Sequence, residues 1–305
     1  MVLVNPKKYF ADAIKKKYAI SHFNFYNLET AFAILNASLN QKGIVILGVS
    51  EKAIEYAGIE NLVSIAKNTS KLLNIKTILH LDHGRDEKII KDCIKKGFTS
   101  VMVDGSNLDF NENVKLTKKI VNFAKKYNVF VEAELGQLKG VEDGITSTKN
   151  HYTDPNQAEL FVKKTNCDSL AIAIGTSHGA YKFKGKANLK FDILKDIRKR
   201  LKIPLVLHGA SSVYSNVVKI ANKYGANLEN VKGVSDSDLK KAVLFGIQKI
   251  NTDTDLRLSF NSSIRKNLKL NPKNFDPRFF LTNTILDMQK ICEHKINILN
   301  GKNTL

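Results

Sequence analysis

Short apolar runs recur along the chain, and each gives way to an amphipathic stretch. Runs rich in β-branched and aromatic residues cover 18–25, 44–49, 76–81, 100–103, 129–133, 169–174, 204–207 and 246–250. Several are nearly continuous in apolar residues, the pattern of parallel strands covered on both faces. Helical periodicity fills 28–41, 53–73, 87–96, 113–127, 156–164, 191–201 and 239–245. Asp154-Pro155 has the form of a helix start, and Gly97 after Lys95-Lys96 that of a helix stop.

Eight strands in strict alternation with helices predict an α/β fold. Eight units within about 255 residues fit a closed (β/α)8 TIM barrel. The competing architecture is an open doubly wound sheet, which needs a ligand fingerprint at its first βα turn. No GxGxxG follows the first or second strand, so the barrel leads. From Asp255 onward the pattern is helical, with a break from Asn271-Pro272 to Pro277, and this tail is expected to pack outside the barrel. The stretch 212–238 is long for one connection and predicts a helix of its own plus an active-site loop. No Pro-, Gly- or Ser-rich linker appears, so one domain over 1–305 is expected, with the helical tail from about 255.

Composition narrows the class. At 305 residues and 43% apolar, the chain has ample material for a core, which excludes disordered and collagen-like architectures. No apolar run approaches the ~18 residues needed to cross a bilayer. Lysines interrupt residues 1–20, so a signal peptide is not expected and the predicted location is cytoplasmic. Cys93, Cys167 and Cys292 are far apart and lack CxxC spacing, which argues against a disulfide framework or a cysteine zinc site.

Lys and Arg outnumber Asp and Glu by 48 to 29, for a net charge of +19. Such a charge suits attraction to polyanions, either nucleic acid or phosphorylated metabolites. It equally suits a lysine-rich solvated surface. The basic residues are scattered in pairs such as Lys118-Lys119, without aromatic interleaving, so no specific nucleic-acid partner is expected.

The chemistry-bearing residues fall where the strands end. Asn24 closes the first run and Ser50 the second; Asp82-His83-Gly84 closes the third and Asp104-Gly105-Ser106 the fourth. Glu132 and Glu134 close the fifth. Ser177-His178-Gly179 follows the sixth, His208-Gly209-Ala210-Ser211-Ser212 the seventh, and Asn251-Thr252-Asp253-Thr254-Asp255 the eighth. In a barrel all of these converge on the C-terminal rim, where barrel enzymes keep their chemistry.

Three histidines on separate strands, His83, His178 and His208, match the ligand set of a catalytic zinc with an open position, and this reading is favoured over three separately satisfied core or capping histidines. Asp104 and Glu134 could hold a second metal. His22, His80, His151 and His294 read as structural, with His80 placed on the same strand face as Asp82. Gly179 and Gly209, each trailed by small residues, and the run from Asn251 to Thr254 offer backbone N–H groups to a phosphate. The loop 136–148 carries Glu142-Asp143-Gly144 and reads either as an ordinary surface loop or as a lid bearing a general base.

These motifs, in this order from Asn5 to Arg278, resemble the class II, metal-dependent fructose-bisphosphate aldolases. The resemblance implies a barrel enzyme of glycolysis and gluconeogenesis that splits fructose 1,6-bisphosphate into dihydroxyacetone phosphate and glyceraldehyde 3-phosphate. It implies zinc on His83, His178 and His208, a second divalent metal at Asp104 and Glu134, and a monovalent cation. Asp82 is similar to the family's acid/base at the C4 oxygen, and Glu142 to the loop glutamate acting at the enolate carbon. Gly179, Gly209, Ala210, Ser211, Asn251, Thr252, Asp253 and Thr254 correspond to the cradle for one phosphate, with Lys182 as a phosphate or loop contact. Asn24 joins the substrate-binding set, and Ser50 resembles a contact to the other phosphate. Asp276-Pro277-Arg278 is similar to the element whose arginine reaches the substrate of a neighbouring subunit, so a homodimer is implied.

Thr252 stands where relatives usually carry an apolar residue, and Tyr214 where a proline is common. No strand-end lysine faces a pocket suited to Schiff-base chemistry. A tagatose-bisphosphate aldolase is the alternative within the class. A metal-dependent barrel hydrolase would carry His-x-His on its first strand, where this chain has Ser21-His22-Phe23-Asn24.

Overall fold

In a computed structural model, residues 2–136, 139–142, 145–147, 152–179 and 188–300 are described, with only the backbone given for 139–142, 145–147 and 178. Eleven strands are present among them. They are β1 (Ile20–Asn24), β2 (Ile46–Ser50), β3 (Ile78–Gly84), β4 (Ser100–Val103), β5 (Phe130–Leu135), β6 (Lys139–Glu142), β7 (Ile145–Ser147), β8 (Ser169–Ile172), β9 (Ser177–His178), β10 (Leu205–Leu207) and β11 (Lys249–Thr252). Eight of them close a parallel barrel in the order β1-β11-β10-β8-β5-β4-β3-β2. The remaining three form a small sheet in the order β7-β6-β9, in which β6 pairs antiparallel with β7 and parallel with β9. The predicted strands and their alternation with helices are therefore present, and each barrel strand lies within a residue or three of its expected bounds.

Strand alternation divides the barrel into an apolar outside and a layered inside. Phe23, Leu47, Leu79, Leu81, Val101, Val131, Leu170, Leu207 and Ile250 join the large cluster shared with the helices. The intervening positions form the interior. Ile20, Ile46, Ile78 and Phe130 make its floor, closed by Phe10 and Ala13 of the helix Lys7–Lys16. Sequence patterning had not predicted that helix. Above the floor the interior becomes polar: His22, His80, Ser100, Glu132 and Lys249 are all buried there. The rim formed by the C-terminal ends of the strands lies above this layer.

One helix prediction needs correction. The expected helix over 53–73 is two helices, Glu51–Ala57 and Ile59–Leu72, split by Gly58 at φ 80°. That left-handed backbone ends the first helix, and glycine adopts it without the usual side-chain penalty. The connection 212–238 does carry its own helix, Ser215–Lys223. The tail comprises the helices Thr254–Leu270 and Pro277–Leu299, and the second packs against both the first and the helix Leu28–Gln41. The Ala19 N–H donates to the Leu299 carbonyl at 3.0 Å, tying the end of the last helix to the start of β1. Cys93, Cys167 and Cys292 are free and buried. No described helix is long and apolar enough to cross a membrane.

Candidate active site

Asp82 and His83 are neighbours on β3, and a regular strand would turn them to opposite faces. The backbone prevents this. His83 adopts φ 50°, and the β3–β4 register shifts between Leu81 and Gly84. The left-handed residue brings the His83 ring to the rim beside Asp82. Gly84 then passes so close to β4 that a Cβ would lie 2.6 Å from the Met102 carbonyl.

The Asp82 carboxylate is buried and held at both oxygens. Asn24 Nδ2 donates to Oδ2 at 2.8 Å, and Asn251 Nδ2 donates to Oδ1 at 2.9 Å. Burial opposes its charge, but the basic groups around it, the Lys249 ammonium among them, outweigh that and keep its pKa below the usual carboxylate range. Beneath it, His22 is fully buried with neither ring nitrogen hydrogen-bonded among the described residues. Gly48 makes room for that ring, since a Cβ there would lie 2.1 Å from Nε2. Burial drives the pKa of His22 down to about 3, so the ring is neutral.

His83 Nε2 and His208 Nδ1 face each other at 2.8 Å. The other nitrogen of each ring points to a carboxylate: His83 Nδ1 lies 2.9 Å from Asp104 Oδ2, and His208 Nε2 lies 2.9 Å from Glu132 Oε1. An ionised carboxylate can only accept, so those nitrogens carry the hydrogens. The two facing nitrogens then carry lone pairs directed at each other. Such an arrangement calls for a shared cation, and the donor set suits a divalent metal whose histidines are oriented by carboxylates. Asp82 belongs to the same group of close ligand atoms as His83 and His208, and Asp104 and Glu134 group with His83. Glu134 Oε2 is 3.5 Å from His83 Nδ1.

Glu132 links this site to the barrel interior. The Lys249 ammonium donates to both Glu132 oxygens at 2.8 Å and lies 3.2 Å from His80 Nε2. His80 Nδ1 in turn lies 2.8 Å from Ser100 Oγ. His80 thus contacts the network through Lys249 and Ser100. Lys249 was missed in the sequence, although a lysine inside a parallel strand signals a buried carboxylate partner.

The residues compared with a phosphate cradle lie together at the ends of β10 and β11. Gly209, at φ 61°, passes so close to Ser177 that a Cβ would meet its carbonyl at 2.7 Å. Ser211 Oγ accepts from the Asp253 N–H at 3.3 Å. Ala210 is buried, and Thr254 opens the helix Thr254–Leu270. Asp255 holds the loop from below, its carboxylate accepting the N–H of Ser212 at 2.9 Å and of Val213 at 2.6 Å. Lys295, reaching in from the C-terminal helix, lies 3.2 Å from Asp255 and donates to Ser212 Oγ at 2.7 Å. The Thr252 hydroxyl is wholly buried, without a hydrogen-bond partner among the described residues, and alternation turns it away from the Asn251 side, which leaves its backbone as the part facing the cradle.

A cavity of about 390 Å³ opens above Asp82 and His83, lined also by Asn24, Ser50, Arg85 and Asp253. Ser50 caps the helix Glu51–Ala57, its Oγ accepting the Ala53 N–H at 3.3 Å. His178 ends the short strand β9, Gly179 follows at φ 81°, and Glu142 ends β6 in the same small sheet. The side chains of His178 and Glu142 lie outside the described residues, as does Lys182. Arg278 is far more exposed, 88% at its side chain, and is paired with Asp276 at 2.8 Å on the tail.

The sequence profile of the family described as fructose-bisphosphate aldolase class-II matches residues 4–304. The fructose-bisphosphate aldolase of Treponema pallidum is 42% identical over 96% of this chain and 94% of its own length. That of Helicobacter pylori is 39% identical over the full length of both. The crystal structure of the YdjI aldolase from Escherichia coli K12 superposes with a TM-score of 0.79 at 30% identity, covering 99% of this chain and 98% of that one. With a closed barrel, a rim of converging histidines and carboxylates, and a profile match over nearly every residue, the chain belongs to the class II fructose-bisphosphate aldolase family.

Proposed function

We propose that this protein is a zinc-dependent lyase that reversibly cleaves fructose 1,6-bisphosphate into dihydroxyacetone phosphate and glyceraldehyde 3-phosphate. The observation that carries the reading is the pair of facing nitrogens on His83 and His208, each oriented by a carboxylate behind it. With His178 they would hold the ion, whose Lewis acidity stabilises the negative charge that develops on the substrate's carbonyl oxygen. Asp82 exchanges the proton at the C4 oxygen as the carbon–carbon bond breaks. Asn24 and Asn251 fix the carboxylate for that transfer and leave it little freedom to turn. Glu142 moves the proton at the adjacent carbon.

The loops 209–211 and 251–254 hold the dihydroxyacetone phosphate end, with Gly179 and Lys182, and Ser50 contacts the opposite phosphate. Arg278, exposed on the tail, reaches the substrate of a second subunit in a homodimer. The +19 charge favours such a doubly phosphorylated substrate.

Prolonged EDTA treatment followed by gel filtration should abolish cleavage, and one equivalent of zinc should restore it; full activity in the metal-free protein would overturn the reading. Comparing kcat/KM on fructose and tagatose bisphosphates separates the two sugars. Glu142→Ala should lower kcat by roughly 10²-fold or more with zinc content unchanged.

A further inference from the structure

The position that the family resemblance gives to a second divalent ion already holds a positive charge. Gly84 pairs with Val103 across β3 and β4, and the Asp104 N–H donates to the Gly84 carbonyl at 2.8 Å. This register sets Arg85, the residue that follows β3, beside Asp104. The Arg85 guanidinium lies 2.7 Å from Asp104 Oδ2, with the carboxylate almost wholly buried and the arginine about a third exposed.

The contact is built from both sides. The Arg85 N–H donates to Glu51 Oε1 at 2.7 Å, and the Asp86 N–H donates to the same oxygen at 2.9 Å. Gly84 leaves no room for a side chain here, since a Cβ would lie 2.6 Å from the Met102 carbonyl, so the chain entering Arg85 runs close against β4. On Asp104, Oδ2 also accepts from His83 Nδ1 at 2.9 Å, while Oδ1 accepts from the Ser106 hydroxyl at 2.6 Å and its N–H at 3.2 Å. The Asp104 carboxylate is therefore fully engaged without a metal. Guanidinium keeps its charge at any working pH, so an ion arriving at Asp104 would have to displace it or sit against a like charge.

We propose that Arg85 is the second cation of this site: its guanidinium takes the place of a second divalent ion beside Asp104 and Glu134, leaving one metal per chain. This rests on reading the His83–His208 pair as a divalent-ion site. Zinc titration of the EDTA-treated full-length protein, by calorimetry and by metal analysis after gel filtration, tests it. The wild type should bind one zinc per chain. Arg85→Ser, or Arg85→Gln if the serine variant does not fold, should bind a second at least tenfold more tightly than wild type does. Arg85→Lys, which keeps the charge, should remain at one. Two zinc ions per wild-type chain, or one in both neutral variants, would overturn the proposal. A wild type that binds none would sink the reading of the histidines and this inference with it.

Discussion

Two lysines among the described residues are wholly buried, and they support different parts of the candidate active site. Lys249 sits in the barrel interior, bound to both oxygens of Glu132, which orients His208. Lys295 enters from the last helix and reaches Asp255 and Ser212 under the loop compared with a phosphate cradle. The first ammonium is held between strands of a closed sheet. The second belongs to a helix that packs from outside, and its carboxylate is also satisfied by two backbone N–H groups. The proposed metal side of the site is thus supported by a charge pair with few substitutes, and the proposed phosphate side by a shared network. Removing either lysine should expose that difference.

Lys249→Met leaves the Glu132 charge buried without its counterion and should cost about 3–5 kcal/mol in urea unfolding of the metal-free protein. Adding Glu132→Leu should recover most of that stability while lowering zinc affinity roughly 10–100-fold, because His208 loses its orienting carboxylate. A double variant that binds zinc like the wild type would break the link between interior and rim. Lys295→Met should cost less, about 2–3 kcal/mol, since Asp255 keeps its two backbone donors. Its KM for the bisphosphate should rise with zinc content unchanged; loss of zinc instead would merge the two regions into one.

The smallest effect concerns acid. His22 and His80 are held neutral mainly by burial, with folded pKa values below that of the unfolded chain. Their contribution is therefore complete above about pH 6.5 and is lost as the pH falls towards the folded values, at up to about 1.4 kcal/mol per pH unit for each group. His22→Gln should flatten the decline of the urea midpoint between pH 6.5 and 5. An unchanged slope would place the acid sensitivity elsewhere.

The alternation of strands and helices was legible because the outward faces of the barrel strands are mostly apolar, and the inward polar residues gather near the strand ends. Asp82, His83, Asp104, Glu134 and His208 could be placed together on that basis. Lys249, Arg85 and Lys295 could not, since in a chain with 48 basic residues a lysine or arginine reads as surface until its carboxylate partner is known. Those partners, Glu132, Asp104 and Asp255, are 117, 19 and 40 positions away. The helix Lys7–Lys16 escaped for a related reason: its lysines masked Phe10 and Ala13, the two residues that plug the barrel floor.

The left-handed backbone at His83 has a practical meaning for anyone seeking a hardier version of this enzyme. Any side chain carries a cost in that conformation that glycine does not, so glycine would relax it. A screen that rewards endurance alone, in medium stripped of metal, would therefore tend to discard the histidine and return proteins that last longer and do nothing.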